Sequence, residues 1–222
     1  MPSRLSKTPI KVLIVDDHAL VREGLRALLD RHDDLEVCGE AGSAAEALAL
    51  ARDNLPDVAV VDLSLREGSG MELIGDLRAR SENIRILVSS MHDEKLYAER
   101  ALEAGAMGYV HKQQGSRVVV DAIRSICSGE LYLSDDVSQR MLTGAARGNS
   151  EATSSIQSLT NRELEVFELL GDGHSVKQIA TRLHLSPKTV DRYRENIKNK
   201  MQLESSAEVL RAATRWRLEQ QG

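Results

Sequence analysis

Aspartates follow two apolar runs near the start of the chain and supply three carboxylates. Residues 11–15 (Lys-Val-Leu-Ile-Val) lead into Asp16 and Asp17, and residues 57–61 (Asp-Val-Ala-Val-Val) lead into Asp62. A helix-like segment lies between the two runs, which predicts two strands of a parallel sheet. In an open parallel sheet, sites form beyond the carboxyl ends of the strands, where the strand order reverses. The three carboxylates are therefore expected to line one acidic pocket.

The chemistry of such a pocket follows from its charge. Three neighbouring carboxylates repel one another and need a cation. Hard oxygen ligands favour Mg²⁺, which proteins usually hold with one or two carboxylates and phosphate oxygens. A carboxylate can attack phosphorus to give an acyl phosphate, and positioning with a metal ion supplies most of the catalysis. Asp62, at the end of the predicted central strand, is the best candidate for the aspartate that accepts a phosphoryl group.

Two later strands are predicted to bring a hydroxyl and an ammonium group to the same pocket. Ser90 follows the predicted strand 84–89, and Lys112 follows the predicted strand 107–111. Taken alone, each residue of the pocket has a simpler interpretation. An aspartate at a strand end is usually a turn or cap residue, and a lysine such as Lys112 is usually solvated. Their coincidence at matching strand ends favours a reactive pocket over a set of unrelated surface residues.

The elements that must position these residues alternate along the first part of the chain, which is typical of a parallel α/β sheet. The predicted strands cover residues 11–15, 35–40, 57–61, 84–89 and 107–111. The predicted helices cover residues near 19–30, 44–53, 70–79, 94–104 and 117–128, and residues 132–143 are expected to form a short extra helix. Ser43 to Glu46 predicts a capping box, and Gly105 and Gly129 follow helices as C-cap glycines do.

Residues 11–128 resemble the receiver domain of a two-component response regulator. The residues that carry this resemblance are Asp16, Asp17, Asp62, Ser90, Tyr109 and Lys112. One departure concerns the loop after Asp62, where the family usually has Met-Pro and this chain has Leu65-Arg66. Proline would stiffen that loop by fixing φ. Its loss is expected to alter loop order or recognition by a kinase, while the reactive positions remain intact.

The resemblance implies a role for each matching residue. Asp17 and Asp62 would hold Mg²⁺ by their side chains, together with the backbone carbonyl of Ser64, and Asp16 would lie in the outer shell. Ser90 and Lys112 would bind the phosphoryl oxygens. Tyr109 would be a rotamer switch that turns inward on activation. The remaining pair, Ser64 and His92, resembles the pair that tunes dephosphorylation in this family.

The bulk composition limits the class of protein. A length of 222 residues suits one large or two small domains, and 41% hydrophobic with 3% aromatic residues predicts aliphatic cores. Cys38 and Cys127 lack the spacing of a metal or redox site, which predicts two buried thiols in a reduced cytosolic protein. The apolar stretch near the N-terminus is too short for a signal peptide or a membrane span. We therefore expect a cytoplasmic protein with no membrane partner.

Charge and composition both divide the chain near residue 157. Residues 158–222 carry 11 Lys and Arg against 9 Asp and Glu, whereas residues 1–157 carry 18 against 25. An acidic front and a mildly basic back suggest different partners, although this charge alone does not prove nucleic-acid binding. Residues 144–157 are small and polar, which is typical of a linker.

The pattern beyond the predicted linker is all-helical. Thr160 and Ser175 each begin a capping box, and Ser186-Pro187 combines an N-cap with proline at the first helical position. A last helix is expected over about 205–217. Two short helices joined by residues 184–186 predict a helix-turn-helix. Four residues at helical spacing are expected to bury one face of the third helix: Val190, Tyr193, Ile197 and Met201.

Residues 159–203 resemble a LuxR-type helix-turn-helix, as found in NarL/FixJ-type regulators. The matching runs are Leu159-Thr160-Asn161-Arg162-Glu163, Gly173-His174-Ser175, Gln178-Ile179-Ala180, Leu183-His184-Leu185-Ser186, Thr189-Val190 and Ile197-Lys198-Asn199-Lys200-Met201. The resemblance implies that the predicted third helix reads double-stranded DNA. Its exposed, early residues would then meet the base edges.

The exposed face of that helix supplies candidate DNA contacts. Arg192 is suited to bidentate binding of guanine, and Glu195 to accepting from cytosine N4. The predicted phosphate contacts are Lys188, Thr189, Arg194, Lys198 and Lys200. Asp191 stands where the family commonly has lysine, and it either pairs with Arg192 or Arg194 or accepts from a base.

Trp216 and Leu210 are the apolar residues considered for the last helix. They fit a core against the other three helices and a dimer seam equally well. A symmetric homodimer would predict an operator with two pseudo-palindromic half-sites.

We therefore predict an α/β fold, a flavodoxin-like (βα)5 receiver over residues 1–130, followed by an all-α helix-turn-helix domain of four helices over residues 158–222. Residues 131–157 would be a short helix and a flexible linker. The predicted function is a response regulator that a sensor histidine kinase phosphorylates on Asp62 and that regulates transcription by binding DNA, as a homodimer when active. It would catalyse only its own phosphoryl transfer and dephosphorylation.

Two alternatives belong to other classes. The first is a phosphorylation-independent DNA-binding regulator whose receiver is an interaction scaffold, with Leu65-Arg66 as its support. The second is a phosphatase with an aspartyl-phosphate intermediate, which would need a second acid beside the nucleophile. Ser64 lies near the position where such an acid would help, which argues against the phosphatase.

Overall fold

The computed structural model describes residues 8–66, 69–147, 156 and 158–220. The chain divides into two compact units, Met1–Thr143 and Gly144–Gly222, and each is described by itself. Most of the segment predicted as a linker, residues 148–155 and 157, lies outside the described residues.

The first unit contains a parallel sheet of five strands. The strands are β1 (Ile10–Val15), β2 (Leu35–Ala41), β3 (Val58–Val61), β4 (Arg85–Ser90) and β5 (Gly108–His111). They lie in the order β2-β1-β3-β4-β5 and every neighbouring pair is parallel. The order reverses between β1 and β3, so the pocket forms where Asp16 and Asp62 follow their strands. This arrangement confirms the predicted flavodoxin-like fold class.

Helices connect the strands and follow the last one. They are α1 (Ala19–Leu29), α2 (Ala44–Asn54), α3 (Gly70–Arg80), α4 (Glu94–Glu103), α5 (Ser116–Ser128) and α6 (Asp135–Arg147). Ser43 caps α2 as predicted, because its hydroxyl accepts from the Glu46 N–H at 3.3 Å. The Glu46 carboxylate accepts from the Gly42 N–H instead of closing the box on Ser43. Gly105 and Gly129 adopt φ of 108° and 93° after their helices, as C-cap glycines do.

Both faces of the sheet are covered. Val12, Ile14, Val58 and Val60 pack with Ile123 of α5 in one aliphatic cluster. The residues that alternate with them along the strands are also buried: Leu13, Val15, Ala59 and Val61. Burial on both faces is what continuous apolar strands in a parallel sheet require.

The two thiols are free but only half-buried, so the predicted full burial was wrong. Cys38 lies on β2, an edge strand of the sheet. Cys127 lies in the last turn of α5. Both positions are at the margin of the core, where a small side chain remains partly accessible.

Gly70 permits a close approach at the pocket. It is the first residue of α3, and a Cβ at this position would lie 2.1 Å from the backbone oxygen of Asp62 and 2.6 Å from the Cα of Leu63. Its N–H also donates to the Leu63 carbonyl at 3.2 Å. Any side chain at residue 70 would therefore push on the backbone that carries Asp62.

The segment after α5 is fixed to β5 and α4. The N–H of Tyr109 donates to the Tyr132 carbonyl at 2.8 Å, and the N–H of Tyr132 donates to the Met107 carbonyl at 3.0 Å. The buried carboxylate of Glu94 accepts from the Ser134 N–H at 2.8 Å. These bonds connect the backbone of β5 directly to the start of α6.

The helix α6 begins later and ends later than predicted. It covers Asp135–Arg147 instead of residues 132–143, so its last turn lies in the segment predicted as a linker. The sequence there is Gly-Ala-Ala-Arg, and alanine has the highest intrinsic helix propensity. Small residues alone therefore did not mark an irregular segment.

The second unit is helical, as predicted. Its helices are α7 (Asn161–Gly171), α8 (Val176–Arg182), α9 (Pro187–Lys200) and α10 (Ser206–Gln220). Thr160 and Ser175 both form complete capping boxes, and the Ser186 hydroxyl accepts from the Thr189 N–H at the start of α9. His184 turns the chain between α8 and α9 with a φ of 54°. The pair α8–α9 forms the predicted helix-turn-helix.

The core of the second unit decides between the two interpretations of the last helix. The rings of Phe167 and Trp216 have centroids 5.7 Å apart, and Trp216 is buried with Val209 and Ala213. Leu210 is 44% exposed. Trp216 is therefore a core residue, whereas Leu210 lies at the surface of the unit.

In the part of the chain that the structure describes, none of the helices combines the length and the apolar character that crossing a bilayer requires.

We expect Gly70→Ala to lower the free energy of unfolding of the first unit by about 3 kcal/mol, because its Cβ would overlap backbone atoms that a rotamer change cannot move. Gly75→Ala is the matched control on the same helix, where a Cβ meets nothing within 4 Å. This control should be neutral or stabilising, since alanine favours a helix over glycine. Urea denaturation followed by far-UV circular dichroism measures both variants.

The fluorescence of Trp216, the single tryptophan, reports separately on the second unit. Neither glycine variant should move that transition. Equal stability of the Gly70 and Gly75 variants would contradict the close approach at Asp62.

Candidate functional site

One lysine joins two strand ends in the pocket. Nζ of Lys112, in the residue that follows β5, lies 2.6 Å from Oδ2 of Asp16 and 2.6 Å from Oδ2 of Asp62. The side chains of both aspartates are 3% exposed, and that of Lys112 is 14% exposed. The three groups come from the ends of β1, β3 and β5, which are far apart in sequence. The parallel topology brings them together because all strands end at the same edge.

Burial and charge shift the protonation equilibria of this pair. Burial raises the pKa of Asp62, the negative charge of Asp16 raises it further, and the ammonium of Lys112 opposes both. Burial alone would lower the pKa of Lys112, but the carboxylates of Asp62 and Asp16 outweigh it and leave the pKa raised. The lysine is therefore held as a cation, while its contacts only partly offset the effect of burial on Asp62, whose pKa stays raised.

Asp17 faces a different set of groups. Its Oδ2 accepts from Nε of Arg66 at 3.1 Å. Its Oδ1 is buried and accepts no hydrogen bond of good geometry from the described residues, although Nδ1 of His18 lies 2.6 Å away. A buried carboxylate oxygen without a hydrogen bond is costly unless a cation satisfies it.

A divalent cation fits this corner of the pocket. Ligand atoms of Asp16, Asp17, His18 and Asp62 all lie within 4.8 Å of one another. Carboxylate oxygens are the ligands that Mg²⁺ prefers, and the buried Oδ1 of Asp17 has no hydrogen bond of good geometry that the ion would have to displace. His18 was missed from the sequence, although its position directly after Asp16-Asp17 was a usable signal.

The loop after β3 contacts the loop after β4. The Ser64 N–H donates to Oδ1 of Asp62 at 3.2 Å, and Oγ of Ser64 lies 3.0 Å from Nε2 of His92. The sequence pointed to Ser64 and His92 as a pair, and the structure brings them into contact. Ser64 follows Asp62 by two residues in the chain, so this contact lies at the edge of the pocket.

Ser90 and Tyr109 are connected through His92. The hydroxyl of the fully buried Ser90 accepts from the His92 N–H at 3.3 Å. The hydroxyl of Tyr109, which is 1% exposed, donates to the His92 carbonyl at 2.9 Å. β4 and β5 are paired neighbours in the sheet, with Val88 opposite Tyr109. A shift of the loop after β4 would therefore change the hydrogen bonds of both Ser90 and Tyr109.

The third helix of the second unit buries one side and exposes the other. Val190 and Ile197 are fully buried, and Tyr193 and Met201 are half-buried. The candidate contacts Lys188, Asp191, Arg192, Glu195 and Lys200 are exposed, whereas Thr189, Arg194 and Lys198 are partly buried. The predicted buried face is confirmed at Val190 and Ile197, whereas Tyr193 and Met201 are less buried than predicted.

Ion pairs organise the exposed face. Asp191 pairs with Arg194 at 3.0 Å and not with Arg192, and Glu195 pairs with Lys198 at 2.5 Å. Lys200 donates to Glu163 at 2.7 Å and to the Ser158 carbonyl at 3.1 Å, which fixes the end of α9 to the start of α7. Two of the three N–H donors of Lys200 are therefore engaged within the unit.

Comparisons with known proteins agree with this division. The family described as "Response regulator receiver domain" matches residues 12–124, and the family "Bacterial regulatory proteins, luxR family" matches residues 157–213. Response regulator UvrY of Escherichia coli strain K12 is 34% identical over 206 residues, which is 93% of this chain and 94% of that protein.

Two further relatives extend the match. The DNA-binding transcriptional activator DevR/DosR of Mycobacterium tuberculosis is 37% identical over 205 residues, or 92% of this chain and 94% of that protein. A crystal structure of a LuxR-family two-component response regulator from Aurantimonas sp. SI85-9A1 is 36% identical with a TM-score of 0.58. It covers 63% of this chain and 100% of that one.

The geometry of the pocket, the helix-turn-helix and these matches lead to one conclusion. The chain belongs to the two-component response regulators of the NarL/FixJ type, in which a receiver domain precedes a LuxR-type DNA-binding domain.

Proposed function

We propose that Asp62 accepts a phosphoryl group from a sensor histidine kinase and that this phosphorylation controls binding of the second unit to double-stranded DNA in the cytoplasm. The observation that carries the proposal is the ammonium of Lys112 between Asp62 and Asp16. Such a cation stabilises both the free carboxylate and the charge of a phosphoryl group bound to it.

The proposed transfer exchanges one bond to phosphorus for another. A carboxylate oxygen of Asp62 attacks the phosphorus of a phosphohistidine, the N–P bond breaks, and its electron pair returns to the imidazole of the kinase. Lys112 then moves its hydrogen bond from Asp62 to a phosphoryl oxygen, and the hydroxyl of Ser90 binds another. Each group acts by position and charge, as is usual for phosphoryl transfer.

Mg²⁺ would complete the site. We propose that the side chains of Asp17 and Asp62 and the backbone carbonyl of Ser64 hold it, with Asp16 in the outer shell. When bound, the ion neutralises charge on the transferring phosphoryl group. Support comes from the buried Oδ1 of Asp17, which lacks a hydrogen bond of good geometry, and from the grouping of the carboxylates.

Loss of the phosphoryl group would be the chain's own reaction and not turnover of an outside substrate. Water attacks the phosphorus, and the O–P bond to Asp62 breaks. Ser64 and His92, in contact at 3.0 Å, are proposed to set how readily water reaches that position. A phosphatase acting on other substrates would need a second acid beside Asp62, and Ser64 supplies none.

The response would travel through β5. We propose that phosphorylation moves Ser90 and the side chain of Tyr109, which shifts their hydrogen bonds to the N–H and the carbonyl of His92 and repacks the surface of α4 and β5. That shift would favour a homodimer or release the second unit. In the proposed organisation, residues 1–130 form the receiver, 131–157 the connection and 158–222 the DNA-binding domain.

The second unit would read DNA with α9 in the major groove. Arg192 and Glu195 are proposed to read bases, with Asp191 beside them. Phosphate contacts would come from Lys188, Thr189, Arg194, Lys198 and Lys200. The exposure of Arg192 and Lys188 on the free face of α9 supports this assignment.

The alternative is a phosphorylation-independent regulator whose receiver acts as a scaffold. One contact favours it: the ion pair of Arg66 with Asp17, which places a positive charge on a carboxylate that a metal ion would need. A site blocked in this way would take up neither Mg²⁺ nor a phosphoryl group.

Intact-mass measurement after incubation with acetyl phosphate and Mg²⁺ tests the proposed function. We expect addition of one phosphoryl group to the natural chain and none to Asp62→Asn. Asp53→Asn, which changes an exposed aspartate at the end of α2, is the control and should be phosphorylated normally.

The alternative predicts a different result. A folded natural chain that takes up no phosphoryl group would contradict the proposal, and failure to bind Mg²⁺ as well would support the blocked site of the scaffold.

A second prediction concerns Asp191. Replacement by asparagine removes a negative charge from the DNA-facing helix and releases Arg194, so DNA affinity should rise. The slope of log K against log salt should steepen by up to about 1, the effect of one added phosphate contact. Fluorescence anisotropy over a salt series measures both quantities.

Glu208→Gln is the matched control, because Glu208 forms the same kind of i,i+3 pair with Arg211 on α10. It should leave the salt slope unchanged. If Asp191→Asn lowers affinity, the aspartate accepts from a base and is a reading residue.

A further inference from the structure

Arg66 contacts the one carboxylate of the pocket that Lys112 does not bind. Its Nε lies 3.1 Å from Oδ2 of Asp17, while Lys112 bonds to Asp16 and Asp62. The Asp17 side chain is 8% exposed and that of Arg66 is 62% exposed. The arginine therefore reaches inward from the surface to a carboxylate that is nearly buried.

The two cations divide the acidic pocket between them. Three carboxylates carry three negative charges, and the positive charges of Lys112 and Arg66 offset two of them. The arrangement partly satisfies the pocket before any metal ion enters. A divalent cation bound to Asp17 would share this carboxylate with the positive guanidinium of Arg66, and the two like charges would repel each other.

We propose that Arg66 is a positioning residue that competes with Mg²⁺ for Asp17 and so weakens metal binding to the pocket. This inference rests on the proposed metal site. Binding of the ion displaces the guanidinium from Asp17, and because the arginine is mostly exposed it moves into solvent without breaking a packed core. Arg66 thus raises the Mg²⁺ concentration at which the pocket is occupied.

The size of the effect follows from the exposure of the arginine. Exposed ion pairs contribute little, and salt screens them. We therefore expect a change in the Mg²⁺ dissociation constant of roughly two- to fivefold at low ionic strength. The change should shrink as the salt concentration rises, because the competing contact is the screened one.

Titration of MgCl₂ into the full chain, followed by the NMR amide signals of the pocket, tests the proposal. Arg66→Ala should bind Mg²⁺ more tightly than the natural chain, and Arg66→Lys should lie between them because it keeps the charge but loses the planar fork. Arg52→Ala removes a different exposed arginine, paired with Asp53, and should match the natural chain.

The outcomes separate this proposal from the proposed metal site. Tighter binding by Arg66→Ala that fades with added salt supports it. Unchanged or weaker binding by Arg66→Ala, with binding still abolished by Asp17→Asn, overturns the role of Arg66 and leaves the metal site intact. Equal Mg²⁺ response of the natural chain and Asp17→Asn overturns the metal site and the role of Arg66 with it.

Discussion

The ammonium of Lys112 between Asp16 and Asp62 is the interaction on which the pocket depends. Two buried carboxylates that bind the same ammonium group lie close enough to repel each other, and burial penalises both negative charges. A cation must therefore lie between them. The lysine comes from the end of β5, while the aspartates come from β1 and β3. The contact therefore holds together three strand ends that are far apart in the sequence. A phosphoryl group on Asp62 would replace one partner of this lysine and change what the end of β5 contacts.

The end of β5 also leads out of the pocket. Tyr109 meets the loop after β4 through its hydroxyl and meets Tyr132 through its backbone N–H. The next contact is the Glu94 carboxylate, which accepts from the Ser134 N–H one residue before α6. Hydrogen bonds and short backbone segments thus link Asp62 to the start of α6. Contiguity of this kind permits coupling, and a measured coupling energy is what establishes it.

The sequence predicted the strands, the helix caps and the pocket because each has a local signal. Apolar runs with terminal aspartates mark parallel strands, and the topology then forces their ends together. The contact between Arg66 and Asp17 had no such signal, because a long exposed side chain can reach many partners. The same reason explains Lys200, whose position on α9 suggested a phosphate contact while its ammonium bonds to Glu163. Packing decided Trp216, because apolar character alone fits a core and an interface equally well.

Control of DNA binding by phosphorylation of Asp62 is tested directly by one affinity comparison. A duplex is first selected from a random library with phosphodonor-treated protein, and its affinity is then measured by fluorescence anisotropy with treated and untreated chains. The natural chain should bind at least about fivefold more tightly after treatment, and Asp62→Asn should show no change. Equal affinity of the treated chain, the untreated chain and Asp62→Asn would contradict control of DNA binding by phosphorylation and identify the receiver as a scaffold.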